Sequence, residues 1–186
     1  MIRRRLRGAL VFLRAPRAAD QREFLRLNRA SRRLHRGWVA PPVTPRQFAQ
    51  YLARRRRPDC PGFLICRIGD GAIVGGINLN EIVRGVFQSA YLGYQIGEPF
   101  ARHGYMTEAL RLAVEFAFRE LRLHRVEANI QPANDASRAL VRRAGFRREG
   151  LSRRYLKIGG RWRDHERWTL LVEDWRARRR ARANRR

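Results

Sequence analysis

Apolar residues recur along this chain with two different spacings, and each change of spacing marks a new part of the fold. Ala9 to Arg14 reads as a strand that stops at Pro16. Asp20 is placed to cap a helix through about Leu34, with Phe24, Leu25 and Leu27 as its apolar positions. Trp38-Val39-Ala40-Pro41-Pro42 is a rigid loop. Thr44 or Pro45 then opens a second helix, with Phe48, Tyr51 and Leu52 on one face. From Phe63 the period changes. Phe63 to Ile68 and Ala72 to Val83 are strands around a turn at Asp70-Gly71, and Arg84-Gly85 returns the chain into Val86 to Ile96. Helical spacing comes back from Thr107 to about Leu121, through Ala109, Leu110, Ala113, Val114, Phe116 and Ala117. Arg125 to Ile130 is a strand ended by Pro132. Asn134 caps a helix that runs to Ala144 and stops at Gly145. Two last strands, around Tyr155 to Ile158 and from Arg167 to Val172, are joined at Gly159-Gly160.

The resulting order, β-α-α-β-β-β-α-β-α-β-β, has an antiparallel front half and βα units behind it, which argues for an α+β layer fold. With 186 residues and 44% hydrophobic content, the chain is expected to form one domain with a real core, over residues 1–175. Residues 176–186 carry no apolar pattern and are expected to be a disordered basic tail.

Charge adds a second constraint. The net charge is +26, and Lys157 is the single lysine, so the excess is almost all arginine. Such a field favours polyanionic cofactors, nucleic acid or ribonucleoprotein, and a ribosome or RNA contact through the basic surface is one expectation. Cys60 and Cys66 form no CxxC pair and fit free thiols of a cytoplasmic protein. No run approaches the ~18 apolar residues of a membrane span, so no membrane is expected. His35, His103, His124 and His165 are scattered, and no metal is expected.

Candidate chemistry concentrates between Tyr91 and Leu110. A strand-like YLGYQIG, a loop EPFARHG and a helix-opening YMTEAL together form an anion site. The first N–H groups of a helix lack partners, and its dipole favours negative charge there. Gly104 stands where backbone must approach a ligand closely, and Arg102 and His103 add donors. The patterns GxxxxGK[ST] and GxGxxG are both absent, which removes the common nucleotide-binding readings.

These residues resemble the GCN5-related N-acetyltransferases, the GNAT superfamily. Ala101-Arg102-His103-Gly104-Tyr105-Met106 occupies the place of that family's Q/R-x-x-G-x-G/A loop. Gly104 alone matches strictly; Ala101 and Met106 depart from the pattern. Met106 followed by Thr-Glu-Ala-Leu resembles the RimJ/RimL branch, the ribosomal-protein-alanine N-acetyltransferases. Ile82 to Gly85 leading to Tyr91-Leu92-Gly93-Tyr94, Asn134 through Gly145-Phe146, and Tyr155 through His165 are most similar to the RimJ type. The resemblance covers about residues 8–175. It implies a GNAT fold: a mixed, mostly antiparallel central sheet of about seven strands with about four helices.

It also implies a cofactor and roles. Acetyl-CoA would be the acetyl donor. Backbone N–H groups near Arg102, His103, Gly104, Tyr105, Met106 and Thr107 would hold its pyrophosphate. Leu92, Gly93, Tyr94, Gln95 and Ile96 would lie along the pantetheine arm, with a strand N–H facing the thioester carbonyl. Asn134 matches the family asparagine that contacts that arm, and a plain helix cap is its other reading. Arg138, Arg142 and Arg143 are candidates for the 3′-phosphate, Arg142 foremost. Ser137 matches the RimL-type serine that protonates the departing thiolate, and Tyr155 is a second candidate acid. Glu127 and Asn129 share one strand face. Glu127 is the candidate base for the amine, its alternative being an ion pair with an arginine. The carboxylate that RimL-type enzymes place after the final Gly-Phe has no clear counterpart near Arg153-Arg154.

The acceptor follows from pKa. An α-amine near 8 is roughly a tenth neutral at pH 7, against under a thousandth for a lysine near 10.4, a difference of about 3 kcal/mol. A site without an obvious strong base therefore suits a protein N-terminus, such as a ribosomal protein's. A GNAT acting on a small amine, and a ribosome- or RNA-binding factor with little catalysis, are the alternatives. Both monomer and homodimer stay open.

Overall fold

The alternating stretch from Phe63 and the strands on either side of it join into one sheet. The computed structural model describes residues 6–184. Its strands are β1 (Leu6–Arg7), β2 (Val11–Arg14), β3 (Gly62–Arg67), β4 (Ile73–Val83), β5 (Ser89–Ile96), β6 (Arg125–Ile130), β7 (Arg147–Ile158) and β8 (Arg161–Leu171). They lie in the order β1-β2-β3-β4-β5-β6-β8-β7. The helices are α1 (Gln21–Ala30), α2 (Arg32–His35), α3 (Pro45–Arg55), α4 (Tyr105–Arg119), α5 (Asp135–Ala144) and α6 (Val172–Ala183). Every neighbouring strand pair is antiparallel except β5 and β6, which run parallel. A parallel step needs a crossover across one face of the sheet, and α4 supplies it.

Strand alternation divides the core. Phe63 and Ile65 of β3 join the cluster under α4 and α5, while Leu64 and Cys66 join the cluster under α1 and α3. On the first face Phe63 meets Phe116 of α4 edge-on at 5.1 Å. On the second, Phe24 stacks on Tyr51 at 5.5 Å. Thr44 caps α3 in a reciprocal box with Gln47, and Gly145 ends α5 at φ 101°.

Four expectations are corrected. Asp20 does not cap α1. Its carboxylate accepts from Arg14 at 2.8 and 2.7 Å and from the Arg17 N–H at 2.6 Å, so it closes a 3-10 turn instead. The helix to Leu34 breaks at Ser31, whose hydroxyl donates to Leu27 O (2.8 Å) and accepts from the Glu98 N–H (2.9 Å). A serine that bonds its own i−4 carbonyl weakens the helix there. The strand expected from Val86 begins at Ser89, because Val86 and Phe87 stand exposed in the turn. The tail expected to be disordered from Arg176 is helical through Ala183. Trp175 anchors it on Phe118 at 5.4 Å, and Arg179 reaches Glu115 at 2.8 Å. The added β1 and the split first helix account, with α6, for eight strands and six helices rather than about seven and four.

One carboxylate ties the amino-terminal hairpin to the start of α4. Glu108 accepts from the N–H groups of Ala9 (2.8 Å), Leu10 (2.7 Å) and Val11 (2.8 Å). This clamp also shortens the first strand expected from Ala9. Burial opposes the charge, but the three N–H groups outweigh it and hold the Glu108 carboxyl below its ordinary value. A depressed carboxyl stabilises the fold above the unfolded pKa of ~4.3, and the contribution is lost as pH falls through the folded value. Glu108→Gln is expected to cost about 2 kcal/mol at pH 7, a drop of roughly 4–8 °C in melting temperature. The gap in melting temperature should begin to narrow as pH falls below ~4.3 and go on narrowing through the folded value, and a gap that stays constant in acid down to where both proteins unfold would contradict the clamp.

Candidate functional site

The single parallel pair comes apart along its length. β5 and β6 are in register from Ser89↔Arg125 to Leu92↔Ala128, and their pairing stops there. Beyond that point β5 continues to Ile96 paired only with β4, and β6 continues to Ile130 paired only with β8. A fork opens between the two strands. Backbone alternation fixes what faces it. The Gly97 N–H donates to Val74 O at 2.8 Å, so Gln95 and Gly93 also present their backbone groups to β4. Tyr94 and Ile96 present theirs to the fork. Ile96 O is taken by His35 Nε2 at 2.8 Å, leaving the Tyr94 N–H and C=O without a partner strand. An extended ligand carrying amides can complete that edge.

At the far end of β5 the chain turns through Glu98–Phe100 into the anion loop. Arg102 (φ 66°) and Gly104 (φ 81°) are both left-handed, and α4 starts at Tyr105. The first helical bond runs from the Glu108 N–H to Gly104 O at 3.1 Å, so the N–H groups of Tyr105, Met106 and Thr107 are free of the helix. The His103 Nδ1 donates to Ala101 O at 2.7 Å, and its ring stacks on Tyr105 at 5.7 Å. Tyr105 and Met106 pack against the core, which explains an apolar Met where a small residue was expected. Arg102, His103 and Thr107 are exposed.

On the α4/α5 face, Leu92 is buried and Tyr94 points toward α5. The Tyr94 hydroxyl makes a short hydrogen bond with Ser137 Oγ. The Ser137 N–H in turn donates to Asn134 Oδ1 at 3.1 Å, so Asn134 acts as the helix cap. Burial pushes the Tyr94 hydroxyl up to about 12, with Ser137 opposing. The structure thus joins Ser137, Asn134 and Tyr94, where sequence reasoning gave Tyr94 a backbone role only. The signal was present: period two puts Tyr94 on the same face as buried Leu92.

The opposite face holds the other candidates. Glu127 is buried, and Arg125 Nε holds it at 2.6 Å. Arg125 also binds Glu149 (Nη1 to Oε1, 3.1 Å) and Thr169 Oγ1 (2.7 Å). Glu149 lies three residues after Phe146. Arg125 holds its carboxyl below the ordinary range. Tyr91 faces Glu127 across the parallel pair. Its hydroxyl is pushed up to about 12 by hydrogen bonding with Tyr155, then by burial and the Glu127 charge. Asn129 Oδ1, one residue past the fork, is buried without a hydrogen-bond partner.

Other candidates fall outside the fork. Arg138 is occupied by Glu166 Oε2 (3.1 Å), Asp135 (2.9 Å) and Pro132 O (3.3 Å), whereas Arg142 is exposed on α5. His165 and Glu166 alternate across β8, and Glu166 is taken up by Arg138, Arg148 and Trp168. Asp59, Cys60 and Glu81 bring potential metal ligands together, but Arg57 and Arg54 already engage both carboxylates. Two side-chain contacts were missed altogether. His35 reaches Ile96 O on one arm of the fork, and Gln131 Nε2, just past the other arm, donates to Gly37 O at 2.6 Å. The α2 segment therefore bridges the fork's mouth.

The family model described as an acetyltransferase (GNAT) domain matches residues 11–147. The chain belongs to the GNAT acetyltransferase family. Its relatives include the probable N-acetyltransferase YjcK of Bacillus subtilis, 37% identical over 129 residues, covering 69% of this chain and 71% of that protein. The [ribosomal protein uS5]-alanine N-acetyltransferase of Escherichia coli is 43% identical over 103 residues, 55% of this chain, and the match spans about half (53%) of that protein's length. Among solved structures, Mycobacterium smegmatis RimJ in complex with CoA-disulfide superposes with a TM-score of 0.81 at 29% identity, over 89% of this chain and 87% of that one.

As a GNAT enzyme the chain is an N-acetyltransferase, and acetyl-CoA is its acetyl donor. The residues fit that donor: free N–H groups at the start of α4 suit a pyrophosphate, and the open edge at Tyr94 suits an amide-bearing arm. A Cβ at Gly104 would meet only Leu10, at 3.5 Å, so the cost of replacing it is conformational. Gly104→Ala is expected to raise KM for acetyl-CoA about tenfold with kcat little changed. An unchanged KM would show that the loop does not hold the donor.

Proposed function

We propose that this GNAT enzyme acetylates the α-amine of a protein N-terminus, with a ribosomal protein as the acceptor. The observation that carries this reading is the Arg125–Glu127 pair. Arg125 Nε holds Glu127 Oε1 at 2.6 Å, so this buried carboxylate is engaged within the fold rather than presented to an incoming amine. The acceptor side of the fork therefore favours an amine that is already partly neutral at pH 7, as an α-amine is and a lysine is not. The uS5-alanine acetyltransferase relative adds support for a ribosomal acceptor. Free buried thiols at Cys60 and Cys66 fit the cytoplasm. No helix among the described residues is long and apolar enough to cross a membrane.

The fork separates the two reactants. Tyr94 and Ser137 stand on the α4/α5 face, and Glu127, Asn129 and Tyr155 belong to the opposite side. The amine approaches from that opposite side, where the unpartnered Asn129 Oδ1 accepts one of its N–H groups. With Glu127 held by Arg125, the amine loses its proton to water before it attacks. As the amine nitrogen bonds the thioester carbon, the Tyr94 N–H stabilises the charge developing on the carbonyl oxygen. When the carbon–sulfur bond breaks, the Ser137 hydroxyl donates its proton to the thiolate. The Tyr94 hydroxyl, protonated at neutral pH, replaces that proton through the short hydrogen bond; the nitrogen gives its second proton to water, and water returns one to Tyr94 as the products leave. Arg102, Arg142 and Arg143, exposed and without a side-chain ion pair among the described residues, are placed to meet the donor's phosphates. Tyr155, next to Tyr91 rather than Ser137, belongs with the acceptor pocket.

Thiol release should be followed with acetyl-CoA and three acceptor sets: peptides bearing ribosomal-protein N-termini, the same peptides blocked at the α-amine but carrying a lysine, and small amines. Turnover is expected with the first set alone; activity confined to small amines or to lysine would overturn the proposal. Ser137→Ala and Tyr94→Phe are each expected to lower kcat by roughly a hundredfold or more, with KM for acetyl-CoA within about threefold. Unchanged kcat in Ser137→Ala would remove the proton-donor assignment.

A further inference from the structure

A groove of about 630 Å³ lies between the carboxyl-terminal end of α4 and the facing side of α6. It is lined by Arg119, Arg122, Arg176, Arg179 and Arg180 around Trp175, and no lining residue is acidic. Two of these arginines already have work within the fold. Arg119 and Arg179 both bind Glu115, at 3.2 and 2.8 Å, and flank the Trp175 ring at 5.9 and 5.0 Å. They hold α6 in place. The side chains of Arg122, Arg176 and Arg180 have no ion pair or hydrogen bond among the described residues.

Basic residues at a helix carboxyl end are often there for its dipole. That accounts for Arg119, and for Arg84, whose Nη1 donates to Leu121 O at 2.5 Å. It does not account for Arg176, which stands in the first half of α6, one turn before Arg180, and faces the same concavity. Unpaired guanidiniums converging on one groove repel each other until an anion enters. Arg176 and Arg180 sit about 6 Å apart along the helix axis, a spacing that lets each take a phosphate of one strand. The planar fork of arginine suits such oxygens bidentately. The anion loop lies at the other end of α4, roughly 20 Å away by helix length, so this is a separate site.

We infer that this groove binds the phosphodiester backbone of RNA, with Arg122, Arg176 and Arg180 as the phosphate contacts and without reading base sequence. The site needs nothing from the acetyl-transfer reading, and either can fail alone. It would hold the enzyme on a ribonucleoprotein surface while the fork works on a protein N-terminus.

The test uses the full chain, a fluorescent unstructured RNA of about 20 nucleotides, and anisotropy over a salt series. Each phosphate neutralised contributes about 0.7 to the salt slope for a single strand. Arg122→Gln/Arg176→Gln/Arg180→Gln is therefore expected to flatten the slope by about 2 and weaken binding roughly tenfold or more near 0.1 M salt. A control with the same charge loss, Arg22→Gln/Arg26→Gln/Arg46→Gln on the opposite face, should stay within about threefold of wild type. Acetyl transfer to a short peptide should be unchanged in the groove variant. If the triple variant melts, Arg122→Gln alone, outside α6, should still flatten the slope by about 0.7. Equal loss in both triple variants would assign binding to the diffuse charge of the whole surface and overturn the site. Displacement of the RNA by poly-glutamate as readily as by unlabelled RNA would make the partner an acidic protein and overturn the RNA assignment.

Discussion

The pairing of β5 with β6, and its ending after Leu92 and Ala128, is the constraint on which the rest of the structure depends. A sheet that stayed paired would satisfy the Tyr94 backbone groups internally and offer nothing to a ligand. Because the strands part, the Tyr94 N–H and C=O and the Ile96 N–H are left for something outside the protein, and the sheet is open from both faces. The parallel direction of the pair also requires a crossover, and the crossover helix α4 brings its unpartnered N–H groups to the open end. Donor grip and reaction centre thus follow from one topological feature.

Keeping the fork open falls to charged groups set into the surrounding structure. Glu108 fixes the hairpin before β2 to the first turn of α4. Arg125 gathers Glu127, Glu149 and Thr169 where β6, β7 and β8 lie side by side. Glu166, buried on the other face, is held by Arg138, Arg148 and the Trp168 indole. Such pairs stabilise only when fully bonded, and each here has several partners. The carboxylates that might have done proton chemistry are consumed in this way. What is left near the fork is a hydroxyl pair on one side and an orphaned amide oxygen on the other. The arginines left over face outward, and in the groove by α6 they converge.

Local rules made much of this legible from sequence. The spacing around Asn134 and Gly145 located α5 to the residue, and Arg125–Ile130 came out as a strand with the same bounds. Gly104 at the start of α4 marked the anion loop, and its φ of 81° shows why glycine stands there. Tertiary contacts hid the rest. Ser31 breaks its helix because Glu98, far away in sequence, supplies the second hydrogen bond. The last helix is held by Val172 and Trp175 and by scattered polar contacts such as Arg179–Glu115 and Arg147–Asp174, which leave no periodic signal. Glu127 and Asn129 share a face by alternation alone, but only the folded contacts show that one is ion-paired with Arg125 and the other unmet. Tyr94 was seen as part of a strand edge, and its hydroxyl partner lies on a helix 43 residues away.

The central claim is that the free backbone edge at the fork, together with the start of α4, receives acetyl-CoA. Residue-resolved amide hydrogen exchange, measured with and without coenzyme A, tests it most directly. The Tyr94 amide and those of Tyr105, Met106 and Thr107 should slow by roughly tenfold or more on binding. Gly93 and Gln95, which already bond β4, should hardly change. Protection at the α4 amides without any at Tyr94, or no protection at either, would contradict the account.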